Sequence, residues 1–159
     1  MNVQIQLLKA DITADLEAIA EIYQALARCE ADLSTESQRI MVAYYLHNLY
    51  CAFESVFQRI AEVFGNHISD RAGWHADLLR RMTLDIEGLR PCLLSRIAYD
   101  ALDELRRFRH VFRSAYRLHL DADRLTLVYR KAQVLERVYQ ADMARFLAFL
   151  DDLLRDVPA

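Results

Sequence analysis

The sequence predicts an all-α protein: an antiparallel up-and-down helical bundle of four long helices plus a short one, in a single domain covering residues 1–159. Three observations predict it. Apolar residues recur at spacings of three and four over long stretches, the period of an amphipathic helix. Glycines (three) and prolines (two) are scarce, and runs of β-branched residues are absent, which favours long helices over sheet. The breaks between periodic stretches are brief, so consecutive helices should pack as antiparallel neighbours.

The first element is expected from about Gln4 to Asp32, on a seam of Ile5, Leu8, Ile12, Leu16, Ile19, Tyr23 and Leu26. Leu33 and Ser34 break it. Thr35 followed three residues later by Gln38 is a capping box that opens the second helix. That helix runs to Phe64 and stops at Gly65–Asn66, a C-terminal signal. Its seam alternates four and three through Val42, Leu46, Leu49, Phe53, Val56, Ile60 and Val63, and Ala43, Tyr50, Phe57 and Phe64 widen it. It should be the most buried helix. His47 within it reads first as a core-edge histidine holding a hydrogen bond. A polar connection, Asn66 to Gly73, leads to a short helix from Trp74 to about Asp85 on Trp74, Leu78, Leu79 and Met82. Gly88-Leu89-Arg90-Pro91 ends it, because proline cannot continue a helix and disfavours helical backbone at the residue before it. Ser95 is the expected N-cap of the fourth helix, which frays after Tyr116. Asp121 is the next N-cap, with Asp123 favourable in the first turn. The last helix extends to about Arg155 on Leu125, Val128, Ala132, Leu135, Tyr139, Phe146, Phe149 and Leu153. Asp142 interrupts that seam; either it marks an interface or cleft, or the seam rotates through Met143.

Composition narrows the function classes. The chain has 159 residues, 54% of them hydrophobic and 27% charged, with a formal net charge of −3, which predicts no general affinity for nucleic acid. No apolar run is long enough to span a membrane. MNVQIQLLKADITADLEA carries acidic residues too early for a signal peptide or transit sequence, so a cytoplasmic location is expected. Cys29, Cys51 and Cys92 lie among apolar neighbours without metal-ligand spacing and read as buried, reduced thiols.

Against that background one stretch stands out: Leu105 to Leu120, LRRFRHVFRSAYRLHL. It holds Arg106, Arg107, Arg109, His110, Arg113 and Arg117 with no acidic residue among them. At about 100° per residue, Ala101, Leu105, Phe108, Phe112 and Ala115 form an apolar stripe facing the core. Arg106, His110, Arg113 and Arg117 fall on the opposite side, with Arg109 and Tyr116 along one flank and Ser114 along the other. The cationic face has two readings, a solvated helix face or a phosphate site. Arginine presents a rigid fork of donors matched to phosphate, aromatic side chains can stack on bases, and all but two of the twenty basic residues are arginine.

Several chemistries drop out. The residues three before the five histidines are Tyr44, Phe64, Ala72, Arg107 and Tyr116, so no Glu-x-x-His pair exists for a di-metal site. There is no Cys-x-x-Cys, no glycine-rich phosphate loop and no Gly-x-Ser-x-Gly elbow; no metal and no cofactor is expected. A metal-free set of Arg, His, Ser and Tyr remains. It suits RNA cleavage by the substrate's own 2′-hydroxyl, which needs a base, an acid and cations for the charged transition state. Histidine can move those protons near neutral pH, whereas a serine hydroxyl stays protonated.

The run FRHVFRSAYRLHLD, preceded by LDELRR and by WHADLLRRMTLDIEGLRP, resembles HepT-like members of the HEPN superfamily from Tyr44 to Leu125. Its specific part is the Arg-x4-His-x-Tyr motif, whose arginine is Arg109 and whose tyrosine is Tyr116. The motif histidine falls at Ser114, where this chain departs from the pattern. The resemblance implies a HEPN-like bundle that pairs as a homodimer, with two motif helices facing a shared cleft to form a metal-independent endoribonuclease. It implies a toxin encoded beside an MNT-type nucleotidyltransferase antitoxin that adenylylates the tyrosine, here Tyr116. Arg109 would bind the scissile phosphate, with Arg106, Arg113 and Arg117 as further RNA contacts. Losing the proton-transfer residue costs about 10²–10⁴-fold in rate, so activity is expected to be attenuated. Three accounts of Ser114 stay open: His110, one turn earlier, takes over the proton work; the chain is a degenerate module that dimerises and binds RNA, a nucleotide or its partner without cleavage; or the serine is an attenuating change, natural or engineered.

Overall fold

A computed structural model describes residues 2–29, 32–65, 72–114 and 119–155. Five helices follow in order: α1 (Asn2–Arg28), α2 (Glu36–Val63), α3 (Trp74–Arg81), α4 (Arg96–Ser114) and α5 (Ala122–Arg155). No strand occurs among the described residues, so the fold is all-α and agrees with a HEPN-like bundle. Cross-helix contacts give the directions. Asp15 of α1 takes the Arg59 guanidinium of α2 at 2.9 Å, Cys51 of α2 meets Arg109 of α4, and Leu93, just before α4, accepts from Arg145 of α5. Lys9 pairs with Asp151, and Tyr23 Oη donates to the Ala132 carbonyl at 2.8 Å. Along each pair the numbering runs in opposite directions, as in Asp11–Arg59 with Asp15–Ser55 and His47–Phe112 with Cys51–Arg109, so α1, α2, α4 and α5 form a ring of antiparallel neighbours, and α3 packs on α2 and α4.

The helix boundaries follow from local chemistry. Thr35 and Gln38 form the reciprocal capping box at the start of α2. Gly65, at φ +70°, turns the chain out at its end, a left-handed backbone that favours glycine. Ser95 Oγ accepts the Ala98 N–H at 3.3 Å as the cap of α4, and Asp121 Oδ1 accepts the Asp123 N–H at 2.8 Å as the cap of α5. α3 ends at Arg81, four residues before the expected Asp85. The cause lies downstream. Arg90, nearly fully buried, donates to the carbonyls of Arg81 at 2.9 Å and Leu84 at 3.3 Å, and the Leu93 and Leu94 N–H groups take Met82 O. The carbonyls that would continue the helix are thus occupied by other groups.

The core runs the length of α2, whose Val42, Ala43, Leu46, Leu49, Tyr50, Phe53, Val56, Phe57 and Ile60 are all fully buried. Tyr139 of α5 links two helices, stacked on Tyr23 with ring centroids 5.7 Å apart and edge-on to Phe53 at 5.3 Å. Asp142 is buried at 3% exposure, and so is Met143. The seam rotates through Met143 as one of the two expectations had it, running Tyr139, Met143, Phe146, Leu150, and Asp142 marks no cleft. Its Oδ2 instead accepts both the N–H and the Oγ–H of Ser95, each at 2.8 Å, so α5 anchors the first turn of α4. The three thiols are free but only half-buried, more exposed than their apolar neighbours in sequence suggested. No helix among the described residues is long and apolar enough to cross a membrane.

Candidate functional site

On α4 the core-facing stripe is Ala98, Ala101, Leu102, Leu105 and Phe108, all buried, with Phe112 partly so. Leu102 shifts this stripe toward α2 relative to the expected one. In consequence Arg106, Arg109 and Arg113 occupy the flank that faces α2, not the side opposite the core. This corrects the placement of Arg106 and Arg113. Arg106 is half-buried and pairs with Asp103 at 2.9 Å, and Arg107 pairs with Asp103 at 2.8 Å. The cationic stretch is therefore neutralised at its N-terminal end by the acids one turn before it.

Arg109 and Arg113 lie past that compensation. Arg109 Nε donates to Cys51 Sγ of α2 at 3.3 Å, the only hydrogen bond Arg109 makes among the described residues. Burial works to lower its pKa, but the Cys51 bond, with Glu54 and Tyr50 nearby, outweighs burial and holds the guanidinium above its ordinary value. Arg113 is exposed and makes no ion pair among the described residues. Facing them on α2 is His47, its Nε2 3.7 Å from Cys51 Sγ and its ring 5.3 Å from that of Phe112. Its Nδ1 is sealed from solvent without a hydrogen-bond partner, so the bond expected for this core-edge histidine reduces to the long sulfur contact. Burial first, then Arg109 and Arg113, push its pKa below the usual histidine value; the ring is neutral at pH 7.

One turn further along α2, Glu54 is 5% exposed and accepts from His75 Nδ1 of α3 at 2.7 Å. Trp74 stacks on that imidazole, with ring centroids 3.7 Å apart. Tyr50, between Cys51 and the core, has its phenol pushed far above the usual range by burial and then by Glu54. The seam between α2 and α4 therefore carries His47, Tyr50, Cys51 and Glu54 at helical spacings of three and four, opposite Arg106, Arg109 and Arg113. The spacing of polar residues inside an otherwise apolar seam was the available signal for Cys51 and Glu54, and the sequence reading missed it.

The remaining candidates are not gathered here. His110 is exposed, on the solvent side of Arg109. Ser114 is the last residue of α4, and its side chain lies outside the described residues, as do Tyr116 and Arg117 entirely. His119 is exposed. Among the described residues no three histidine, cysteine or acidic side chains group so as to hold a metal ion. A cleft of about 260 Å³ lined by Ile5, Val63, Phe64, Leu89, Leu153 and Leu154 opens at the other end of α2, and carries none of the cationic groups.

Among models of known protein families, the one described as HepT-like protein matches residues 41–150, from the first turns of α2 through most of α5. The chain belongs to the HepT-like family of the HEPN superfamily. No curated protein and no solved structure matches it. The matched span of this HepT-like chain includes His47, Cys51, Arg109, Arg113 and Ser114, so the whole seam falls inside the family domain. The short α3 and the Arg90-pinned turn that positions α4 are inside it too.

Proposed function

We propose that this HepT-like protein is the toxin of a toxin–antitoxin pair, a cytoplasmic, metal-independent endoribonuclease whose activity is attenuated because Ser114 stands where the motif has histidine. The observation that carries the reading is the state of Arg109. It is the motif arginine, held at the α2–α4 seam by Cys51, and with Arg113 it is the part of the cationic stretch not neutralised by Asp103 or Glu104. Guanidinium groups without carboxylate partners are what a scissile phosphate requires. In the reaction the substrate's 2′-oxygen bonds to phosphorus and the P–O5′ bond breaks, leaving a 2′,3′-cyclic phosphate and a 5′-hydroxyl. Arg109 binds the phosphate, Arg113 and Arg117 track the RNA backbone, and His110 and Ser114 complete the motif helix. Tyr116 is the residue an MNT-type nucleotidyltransferase antitoxin would adenylylate. Met41 and Tyr44 on α2 and Val111 on α4 are exposed apolar residues on the two helices of the seam, which suits a second copy of the chain docking there as a homodimer.

The second reading is a module that dimerises and binds RNA, a nucleotide or the transferase without cleavage; the serine at position 114 favours it. One experiment separates them. RNA is incubated with the wild type, Arg109→Ala and Ser114→His. The nuclease reading expects cleavage by the wild type, none by Arg109→Ala, and an increase of about 10²-fold or more from Ser114→His. Salt-sensitive RNA binding with no cleavage, even after the histidine is restored, would leave the binding module in its place.

A further inference from the structure

We infer that His47, projecting from α2, is the imidazole of the Arg109 phosphate site, standing in from a neighbouring helix for the histidine that α4 lacks. This rests on the reading of that site as one that cleaves RNA. The motif helix has serine at the position of its proton-transfer group, and the two histidines of the stretch, His110 and His119, are exposed. His47 is the histidine on the phosphate-binding flank. Cys51 bridges it to Arg109, lying 3.7 Å from His47 Nε2 and 3.3 Å from Arg109 Nε, and Phe112, next to Arg113, contacts its ring.

The surroundings suit a base. The groups that face the ring are Cys51 from its own helix and Arg109 and Arg113 from α4, with Tyr50 and Glu54 acting on Arg109 behind it. An imidazolium must donate from both nitrogens, and Nδ1 has no acceptor, which disfavours the charged ring before RNA binds; Nε2 is the basic nitrogen of the neutral tautomer that carries its hydrogen on Nδ1. A phosphodiester seated on Arg109 and Arg113 brings negative charge to the same place and favours the protonated ring. Nε2 then takes the proton of the 2′-hydroxyl as O2′ bonds to phosphorus. The P–O5′ bond breaks, the 5′-oxygen takes a proton from water, and the imidazolium returns its proton to solvent.

The test has two arms. In the first, cleavage of one RNA oligonucleotide is followed across pH for the wild type, His47→Gln, Ser114→His and the double variant. Loss of about 10²-fold or more in His47→Gln, with the low-pH limb of the wild-type profile abolished and RNA binding retained, is expected. In the Ser114→His background the same change should cost under about threefold, because the motif imidazole is then present. Equal cleavage by wild type and His47→Gln would overturn the inference and leave the nuclease reading standing. The second arm does not depend on activity. The His47 ring is titrated by NMR in the wild type, alone and with a 2′-deoxy oligonucleotide that cannot be cleaved. A titration midpoint that rises on binding supports the inference; a midpoint that does not move overturns it. A wild type that binds RNA but never cuts it sinks the nuclease reading, and the NMR midpoint then decides alone whether His47 faces the bound phosphate.

Discussion

Asp142→Ala should destabilise the protein by about 2–4 kcal/mol although Asp142 touches no part of the candidate site. The residue is 3% exposed, and one of its oxygens accepts two hydrogen bonds from Ser95 at 2.8 Å. Hydrogen bonds to a charged acceptor contribute about 1.5–3 kcal/mol each. Ser95 keeps its bond to the Ala98 N–H, so the cap itself half survives, and water reaching the half-buried serine offsets part of the loss. The ion pair to Arg145 adds little, because that arginine is half exposed and such pairs contribute about 0–1 kcal/mol. For a chain of this size each kcal/mol lowers the melting temperature by roughly 2–4 °C, so a drop of about 5–15 °C is expected. Urea denaturation followed by circular dichroism measures the free energy directly. Arg145→Ala should lose under about 1 kcal/mol, and Ser95→Ala combined with Asp142→Ala should fall short of the sum of the two, since they remove one shared interaction. A loss below about 1 kcal/mol for Asp142→Ala, or strict additivity with Ser95→Ala, would refute the assignment of Asp142 as the anchor of α4.

Two further outcomes follow from the same seam. His47 titrates below its ordinary value of 6.5 in the folded chain, so the unfolded chain takes up that proton first. Its contribution is constant above about pH 6.5 and stability is lost as pH falls below it, until the folded ring protonates as well; His47→Gln should flatten the slope of urea midpoints between pH 7 and pH 5, and an unchanged slope would refute the neutral, buried ring. Glu54→Gln weakens the 2.7 Å bond that ties His75, and with it α3, to α2. An eight-residue helix is marginal alone, so amide hydrogen exchange in Trp74–Arg81 should speed up more than in α2 or α5. Uniform acceleration across the bundle would point to a global loss instead.

What could be read from the chain was what depends on near neighbours. Thr35 with Gln38, Ser95 and Asp121 all cap the helices expected of them, because a cap is made within three residues. The seams of α1 and α2 agree with burial almost residue for residue. The neutralisation of Arg106 and Arg107 was also within reach, since Asp103 lies three and four positions before them and Glu104 three before Arg107. The end of α3 was not within reach, because Arg90 closes it from nine positions away.

Apolar period, capping and the Arg109–Tyr116 motif are enough to specify the helices, their order, the antiparallel packing of consecutive helices and the family. Which flank of α4 meets α2 is set by packing between the helices. That contact sets Arg109 against Cys51, 58 positions away in sequence, brings His47 beside both, and turns Asp142 from a flaw in a seam into the anchor of α4. The physical reason is range: a helix is specified by interactions four residues long, whereas its rotation about its own axis is chosen by the side chains of other helices packing against it.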